Sequence, residues 1–263
     1  MTNTIPHSLS GKRALVTGGS KGIGLAIALA LAEAGARVVI SARKQADLDE
    51  ALAQITTSGG EGFAIVCDVA DPDQVAAMRT VINDQWGGVD ILVNNAGTAP
   101  SHKFITHPDD LWHETLAVNL TGVYYVTKAF AGGMLDQKWG RIINIASIVS
   151  KIGGKYIAAY TASKHGVLGL TRALAMEFVP HVTVNAICPG YVDTPMTDAA
   201  VSRIMEKTGR SVEEARAEIT KTSPQGRLIE PDEVAAVALM LAQESARGIT
   251  GQAINVDGGA VMW

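Results

Sequence analysis

The stretch Thr17-Gly18-Gly19-Ser20-Lys21-Gly22-Ile23-Gly24 decides the fold. An apolar, strand-like run at 13–17 leads into it, and a run rich in Ala, Leu and Ile at 22–34 leads out. Glycines at 18, 22 and 24 let the chain turn sharply and let its backbone approach a pyrophosphate. The helix that opens there offers free N–H groups and a partial positive charge. A glycine-rich turn alone is weak evidence. Placed between a strand and a helix near the N-terminus, it has the context that dinucleotide binding requires. It nominates Gly18, Ser20, Lys21, Gly22, Ile23 and Gly24 as cofactor-binding residues.

Outward from this turn the same rhythm repeats. Strand candidates fall at 13–17, 37–41, 62–67, 91–94, 141–145, 182–188 and 253–256. Most are short, β-branched and apolar throughout, as strands buried on both faces of a parallel sheet are. Helical stretches at 22–34, 48–57, 73–85, 109–134, 160–177 and 231–241 lie between them. Alternation of this kind implies right-handed βαβ crossovers. The expected architecture is α/β: a single-domain, Rossmann-like, doubly wound parallel sheet of seven strands with helices on both faces, spanning 1–263. Only 193–224 breaks the rhythm. It is polar, helical and without a strand, and it is expected to lie on the ligand side as a substrate lid, with a surface or subunit-contact insertion as the alternative.

The ends of the next strands extend the dinucleotide reading. An NAD-selective site places an acidic side chain after the second strand. Here the sequence runs Ile40-Ser41-Ala42-Arg43-Lys44, with no carboxylate in the turn. An arginine fork suits phosphate, so Arg43, with Ser41 and Lys21, is expected to meet a 2′-phosphate. This makes NADP(H) the preferred cofactor and NAD(H) the alternative. Asp68-Val69 follows the third strand, where Asp68 can accept from an adenine amino group. Asn94-Asn95-Ala96-Gly97 follows the fourth, where Ala96 and Gly97 let a cofactor lie against backbone.

The fifth strand leads into Ile145-Ala146-Ser147, and Tyr160-Thr161-Ala162-Ser163-Lys164 follows. Four residues apart on a helix, Tyr160 and Lys164 share one face. An ammonium beside a phenol favours phenolate and lowers its pKa. Such a tyrosine exchanges a proton with a carbonyl or alcohol oxygen, and Ser147 can hydrogen-bond the same oxygen.

With these motifs together, the chain resembles the short-chain dehydrogenase/reductase family in its single-domain form. The matching segments are TGGSKGIG at 17–24, DV at 68–69, NNAG at 94–97, the asparagine of AVNLTG at 119, serine at 147, YTASK at 160–164 and PGYVDTPM at 189–196. The resemblance implies hydride transfer between a nicotinamide dinucleotide and a ketone or secondary alcohol, with Asn119, Ser147, Tyr160 and Lys164 as the catalytic set. It implies that Asn119 helps to hold a water joining Lys164 to solvent, and that Lys164 and Tyr160 also meet the cofactor. Asn95 would lie near the cofactor ribose, and Pro189, Gly190, Val192 and Thr194 would border the nicotinamide. A homotetramer is implied as well, through 109–134, 160–177 and the C-terminal strand region.

Ile148, Val149, Gly153, Gly154, Tyr156, Tyr191 and Met196 are the substrate-pocket candidates. Most are apolar, which favours a hydrophobic or acyl-bearing ketone. The stretch YTASKHGVLGLTRALAMEF with ICPGYVDTPM is similar to polyketide ketoreductases and to 3-oxoacyl or 3-hydroxyacyl oxidoreductases. An NAD-dependent hydroxyacyl or hydroxybutyrate dehydrogenase working oxidatively is a second reading. A dinucleotide-binding redox sensor without turnover is a third; the complete Ser147, Tyr160 and Lys164 set speaks against it.

Composition sets bounds. Net charge −4 with no basic stripe argues against nucleic acid. Cys67 and Cys188 sit in apolar runs and read as buried reduced thiols, and no Cys/His spacing suggests a metal. The start, 1–10, lacks a cationic stretch followed by an apolar run, and no long apolar span crosses a membrane. A cytoplasmic protein with a small-molecule partner is the expectation.

Overall fold

The computed structural model describes residues 8–263. The leader reading of the N-terminal stretch falls, for residues 1–7, outside the described residues. Seven strands form one parallel sheet: β1 (Arg13–Thr17), β2 (Arg37–Ala42), β3 (Gly62–Val66), β4 (Ile91–Asn94), β5 (Gly140–Ile145), β6 (Val182–Pro189) and β7 (Ala253–Val256). Their order across the sheet is β3-β2-β1-β4-β5-β6-β7. The order reverses beside β1, between β1 and β4, so the C-terminal ends of these two strands flank a crevice at the topological switch point.

The helices are α1 (Gly22–Glu33), α2 (Gln45–Thr57), α3 (Pro72–Trp86), α4 (Asp109–Leu116), α5 (Gly122–Asp136), α6 (Ala158–Glu177), α7 (Pro195–Thr208), α8 (Val212–Thr220) and α9 (Pro231–Ala242). Proline opens α3, α7 and α9 at the first turn, where its missing N–H costs nothing. Asp71 caps α3 by accepting from Asp73 and Gln74.

Strand periodicity explains the uniformly apolar runs. Ala14 and Val16 of β1, Val38 and Ile40 of β2, and Ile91 and Val93 of β4 bury against α1, α2 and α9 through Ile27, Leu31, Leu48 and Val234. The alternate residues Leu15, Val39 and Leu92 point the other way, onto Val75 and Met78 of α3 and Val126 and Phe130 of α5. Each such side chain contributes roughly 1.5–3 kcal/mol on full burial, so both faces must be apolar.

The predicted helix at 109–134 is interrupted. Between α4 and α5 the chain makes a π-helical turn over Ala117–Thr121, in which Gly122 N–H donates to Ala117 C=O. One residue is inserted into the helical ladder, and Asn119 lies within it. The polar stretch after β6 holds α7 and α8, and Val192 bridges Ile229. Arg216 of α8 ties this excursion to Asp193 and Asp198 at 3.3 and 2.7 Å. No helix among the described residues is long and apolar enough to cross a membrane.

Candidate active site

The glycine turn is built for close approach. Gly18 and Gly22 hold φ of 63° and 53°, a left-handed conformation that glycine adopts without a Cβ penalty. A Cβ on Gly18 would stand 2.9 Å from the Ala96 Cα, and one on Gly22 would stand 3.0 Å from the Thr194 Cγ2. On Gly24 a Cβ would run into the Gly18 carbonyl. No side chain caps the N-terminus of α1, and its first turn carries no acidic residue. Free N–H groups beside a cradle without side chains fit a pyrophosphate.

Around the cradle, the structure sorts the sequence-derived candidates. Asn95 Nδ2 donates to the carbonyls of Thr17 and Gly18, both at 3.0 Å, and the Thr17 hydroxyl accepts from the N–H of Asn95 and Ala96. The Asn95 carboxamide donor is thus spent on holding the turn, not left for a ribose. Ser41 is wholly buried, its hydroxyl without a partner. A side chain closed off inside β2 cannot reach a phosphate, and this corrects its expected role. Arg43 is exposed, with no ion-pair partner among the described residues. Lys21 is exposed and pairs with Asp47 at 2.9 Å. Asp68 accepts from Ala70 N–H, and Val69 is buried against Gly122. Ser20 is half-buried on the turn.

At the other end, β5 delivers Ser147 and α6 presents Tyr160 and Lys164. Lys164 Nζ donates to the Ile145 carbonyl at 2.7 Å and lies 5.8 Å from the centre of the Tyr160 ring. Burial lowers the Lys164 ammonium to about 8. Burial also raises the Tyr160 phenol above its ordinary value, opposed by a hydrogen bond with Ser147. The expected lowering of the phenol by Lys164 is not met: desolvation disfavours the charged form of both groups, the one opposing contact on the phenol is Ser147, and the protein alone holds Tyr160 protonated.

Asn119 is fully buried in the π turn. Its Oδ1 accepts from Thr98 N–H and its Nδ2 donates to Thr98 C=O, both at 2.8 Å. Nδ2 also donates to the Ser163 hydroxyl, which in turn donates to the Tyr160 carbonyl at 2.7 Å. Its side chain is occupied by protein, so the expected water contact would fall to backbone. Thr98, Ser163 and the Ile145 carbonyl were missed from sequence. Ser163 stands inside the quoted YTASK motif, one helical turn beyond Tyr160, and spacing alone could have found it.

A cleft of about 640 Å³ opens over these groups. Ser147, Tyr160 and Lys164 line it with Ile148, Val149, Tyr156, Tyr191 and Met196. Ile23, Asn95, Gly97, Pro189, Gly190, Val192 and Thr194 join them. Gly97 sits over the centre: a Cβ there would be 3.3 Å from Asn119 Oδ1 and 3.8 Å from Lys164 Nζ. Gly154 lines a neighbouring groove instead, where a Cβ would strike Ile157. That places it off the cleft wall to which it was assigned. Gly153 is not on the cleft wall either. Tyr156 holds a left-handed φ of 66°, and its carbonyl accepts from His102 N–H at 2.7 Å. From the 193–224 excursion the cleft takes Thr194 and one face of α7, while α8 packs behind α7 through Ala215 and Ile219.

The family model described as enoyl-(acyl carrier protein) reductase matches residues 18–261. A protein named as ketoacyl reductase 1 of the granaticin polyketide synthase of Streptomyces violaceoruber is 45% identical over 252 residues, 94% of this chain and 92% of that one. A D-beta-hydroxybutyrate dehydrogenase of Cupriavidus necator is 39% identical over 258 residues, 96% and 99% of the two chains. A variant of the actinorhodin polyketide ketoreductase, solved with NADPH, superposes with a TM-score of 0.93 at 40% identity, covering 98% of this chain and all of the other.

Proposed function

The chain belongs to the short-chain dehydrogenase/reductase family, and we propose from that premise that it interconverts an apolar or 3-oxoacyl-type ketone and its secondary alcohol with NADP(H). The observation that carries this reading is the convergence of Ser147, Tyr160 and Lys164 on one largely apolar cleft whose wall continues through Ile23 and Thr194 to the glycine cradle.

When bound, the nicotinamide supplies or accepts the hydride; the chain supplies position and the proton. Ser147 donates to the substrate oxygen and fixes it. Tyr160, held protonated by burial, gives its proton to that oxygen as negative charge develops. Lys164, with its pKa near 8, stands behind Tyr160 as a group able to hold or release a proton near neutral pH. Oxidation runs these steps in reverse. Asn119 acts as a positioning residue, tying the Thr98 loop to the Tyr160 turn of α6.

The NADP(H) preference rests on the exposed Arg43 beside Ala42, and the relative solved with NADPH supports it. The kinship with a hydroxybutyrate dehydrogenase keeps an NAD-dependent, oxidative reading of the same site as the alternative. We place α7 as the substrate-side wall of a single-domain enzyme and the assembly as a homotetramer. The decisive experiment follows NADPH oxidation with a panel of ketones, wild type beside Tyr160→Phe. Turnover that Tyr160→Phe abolishes supports the reading, and dinucleotide binding with no turnover on any ketone sinks it.

A further inference from the structure

The cleft carries a charge asymmetry that its chemistry at Tyr160 does not use. Although the chain has a net charge of −4, the charged residues of the cleft wall are Lys103, Lys155, Lys164, Arg203 and Lys207, with no carboxylate among them. Lys164 belongs to the reaction centre. Among the described residues, none of the other four has an ion-pair partner within 4.0 Å. Elsewhere on the surface arginines do find carboxylates, as Arg216 and Arg227 show.

These cations stand at a defined place. Helix α7 starts at the cofactor turn, where Thr194 meets Gly22. On its cleft-facing side Met196, Ala200, Arg203 and Lys207 stand at spacings of three or four that keep one face, with Thr197, Ile204 and Thr208 beside them. Both cations of this side, Arg203 and Lys207, fall in its second half. At 1.5 Å per residue, Arg203 and Lys207 lie about 10 and 16 Å along the helix from Met196. Arg203 spends one donor on the Ala99 carbonyl at 3.3 Å and keeps the rest of its fork. Lys103 and Lys155 add charge from two other loops.

We infer that the outer end of the cleft is an anion subsite. It takes a ketone whose reactive carbonyl is joined, through an apolar arm, to a carboxylate or phosphate clasped by Arg203 and Lys207. The stripe from Met196 to Arg203 and Lys207 alone takes up roughly nine to fourteen bonds by the reach of an extended chain, and the stretch from the reacting carbonyl to Met196 adds to them. The inference rests on the ketone-reducing reading above and adds the substrate's far end to it.

The test measures kcat/KM with NADPH for two matched pairs of ketones at low salt. One pair is a long-chain keto acid and its neutral amide. The other is a 3-oxoacyl thioester of phosphopantetheine and its thioester with uncharged N-acetylcysteamine. Charge-assisted hydrogen bonds lead to an expected preference of about tenfold or more for the anionic member of at least one pair; the pair that shows it identifies carboxylate or phosphate as the source. The preference is expected to shrink with added salt, to vanish or invert in the Arg203→Glu/Lys207→Glu double variant, and to survive in Arg203→Lys. A wild-type preference near one for both pairs overturns the inference, as does a preference that the double variant leaves intact. If no ketone of either pair is reduced by the wild type, it is the ketone-reducing reading itself that fails.

Discussion

The ammonium of Lys164 donates to the carbonyl of Ile145 at 2.7 Å, so the cation of α6 is fastened to the strand that delivers Ser147. The bond fixes Lys164 but does not neutralise it, and burial brings its pKa down from 10.5 to about 8. Between these two values the unfolded chain holds a proton on this lysine that the folded chain has released. Stability contributed by this group therefore rises with pH across that window, and the penalty is fully present below it. Urea unfolding of dinucleotide-free protein at pH 8 and pH 10.5 should show wild type gaining stability relative to Lys164→Met. A relative loss would contradict the burial argument.

Tyr160 is the proton donor in the reductive direction, and burial keeps its proton in place. Reduction is expected to hold its kcat/KM through neutral pH and to fall only near or above the ordinary phenol value of about 10. Tyr160→Phe should lose about 10²–10⁴ in kcat while still binding dinucleotide by fluorescence titration. A pH profile with its fall centred near 7 would assign the proton to another group.

Arg43 has no ion-pair partner among the described residues and no acidic neighbour at 42. Removing a charge-assisted contact of roughly 1.5–3 kcal/mol should cost Arg43→Ala tenfold or more in kcat/KM for NADPH, with far less change for NADH. Steady-state kinetics with both cofactors decide it. A wild type that prefers NADH, together with an indifferent Arg43→Ala, would move the enzyme to the alternative cofactor.

Asn119 satisfies both backbone groups of Thr98. Asn119→Leu strands them, at about 1–3 kcal/mol for each group left without a partner. Asn119→Asp keeps an acceptor for the Thr98 N–H and loses the donor, so it should fall between wild type and the leucine variant in thermal denaturation. Equal stability for all three would mean that the clamp does not form in solution.

Much of this was readable from residues alone. The strands could be located because both faces of a parallel sheet are buried, which leaves apolar runs such as 91–94 that few other settings demand. The glycine turn and the Tyr160–Lys164 spacing were legible because backbone clearance and helix geometry act locally. What escaped the reading depends on partners distant in sequence. Ser41 reads as a turn residue, yet the packing of β2 closes it off. Asn95 reads as a ligand contact, and that its amide also answers two carbonyls of the glycine turn could not be read beside it. The Ala117–Thr121 segment contains no glycine or proline to mark a break, and only tertiary bonds to Thr98 and Ser163 show why the helix widens there. Arg203 and Lys207 of α7 look like ordinary surface charge until the fold brings Lys103 and Lys155 to the same cleft.

The widened turn between α4 and α5 also works as a phase shifter. Thr115 and Asn119 face inward before it, and Val126, Phe130 and Met134 face inward after it. A continuous 3.6-residue helix drawn through the first pair would carry Phe130 and Met134 off the core by about 100°, the rotation of one residue. The inserted residue lets a single rod answer two clocks, one set by the polar clamp beside Tyr160 and one by the sheet. Drawing this turn into regular α-helix with every residue kept would force the rod to keep only one of them, so the reaction centre and the hydrophobic interior are timed against each other at this turn.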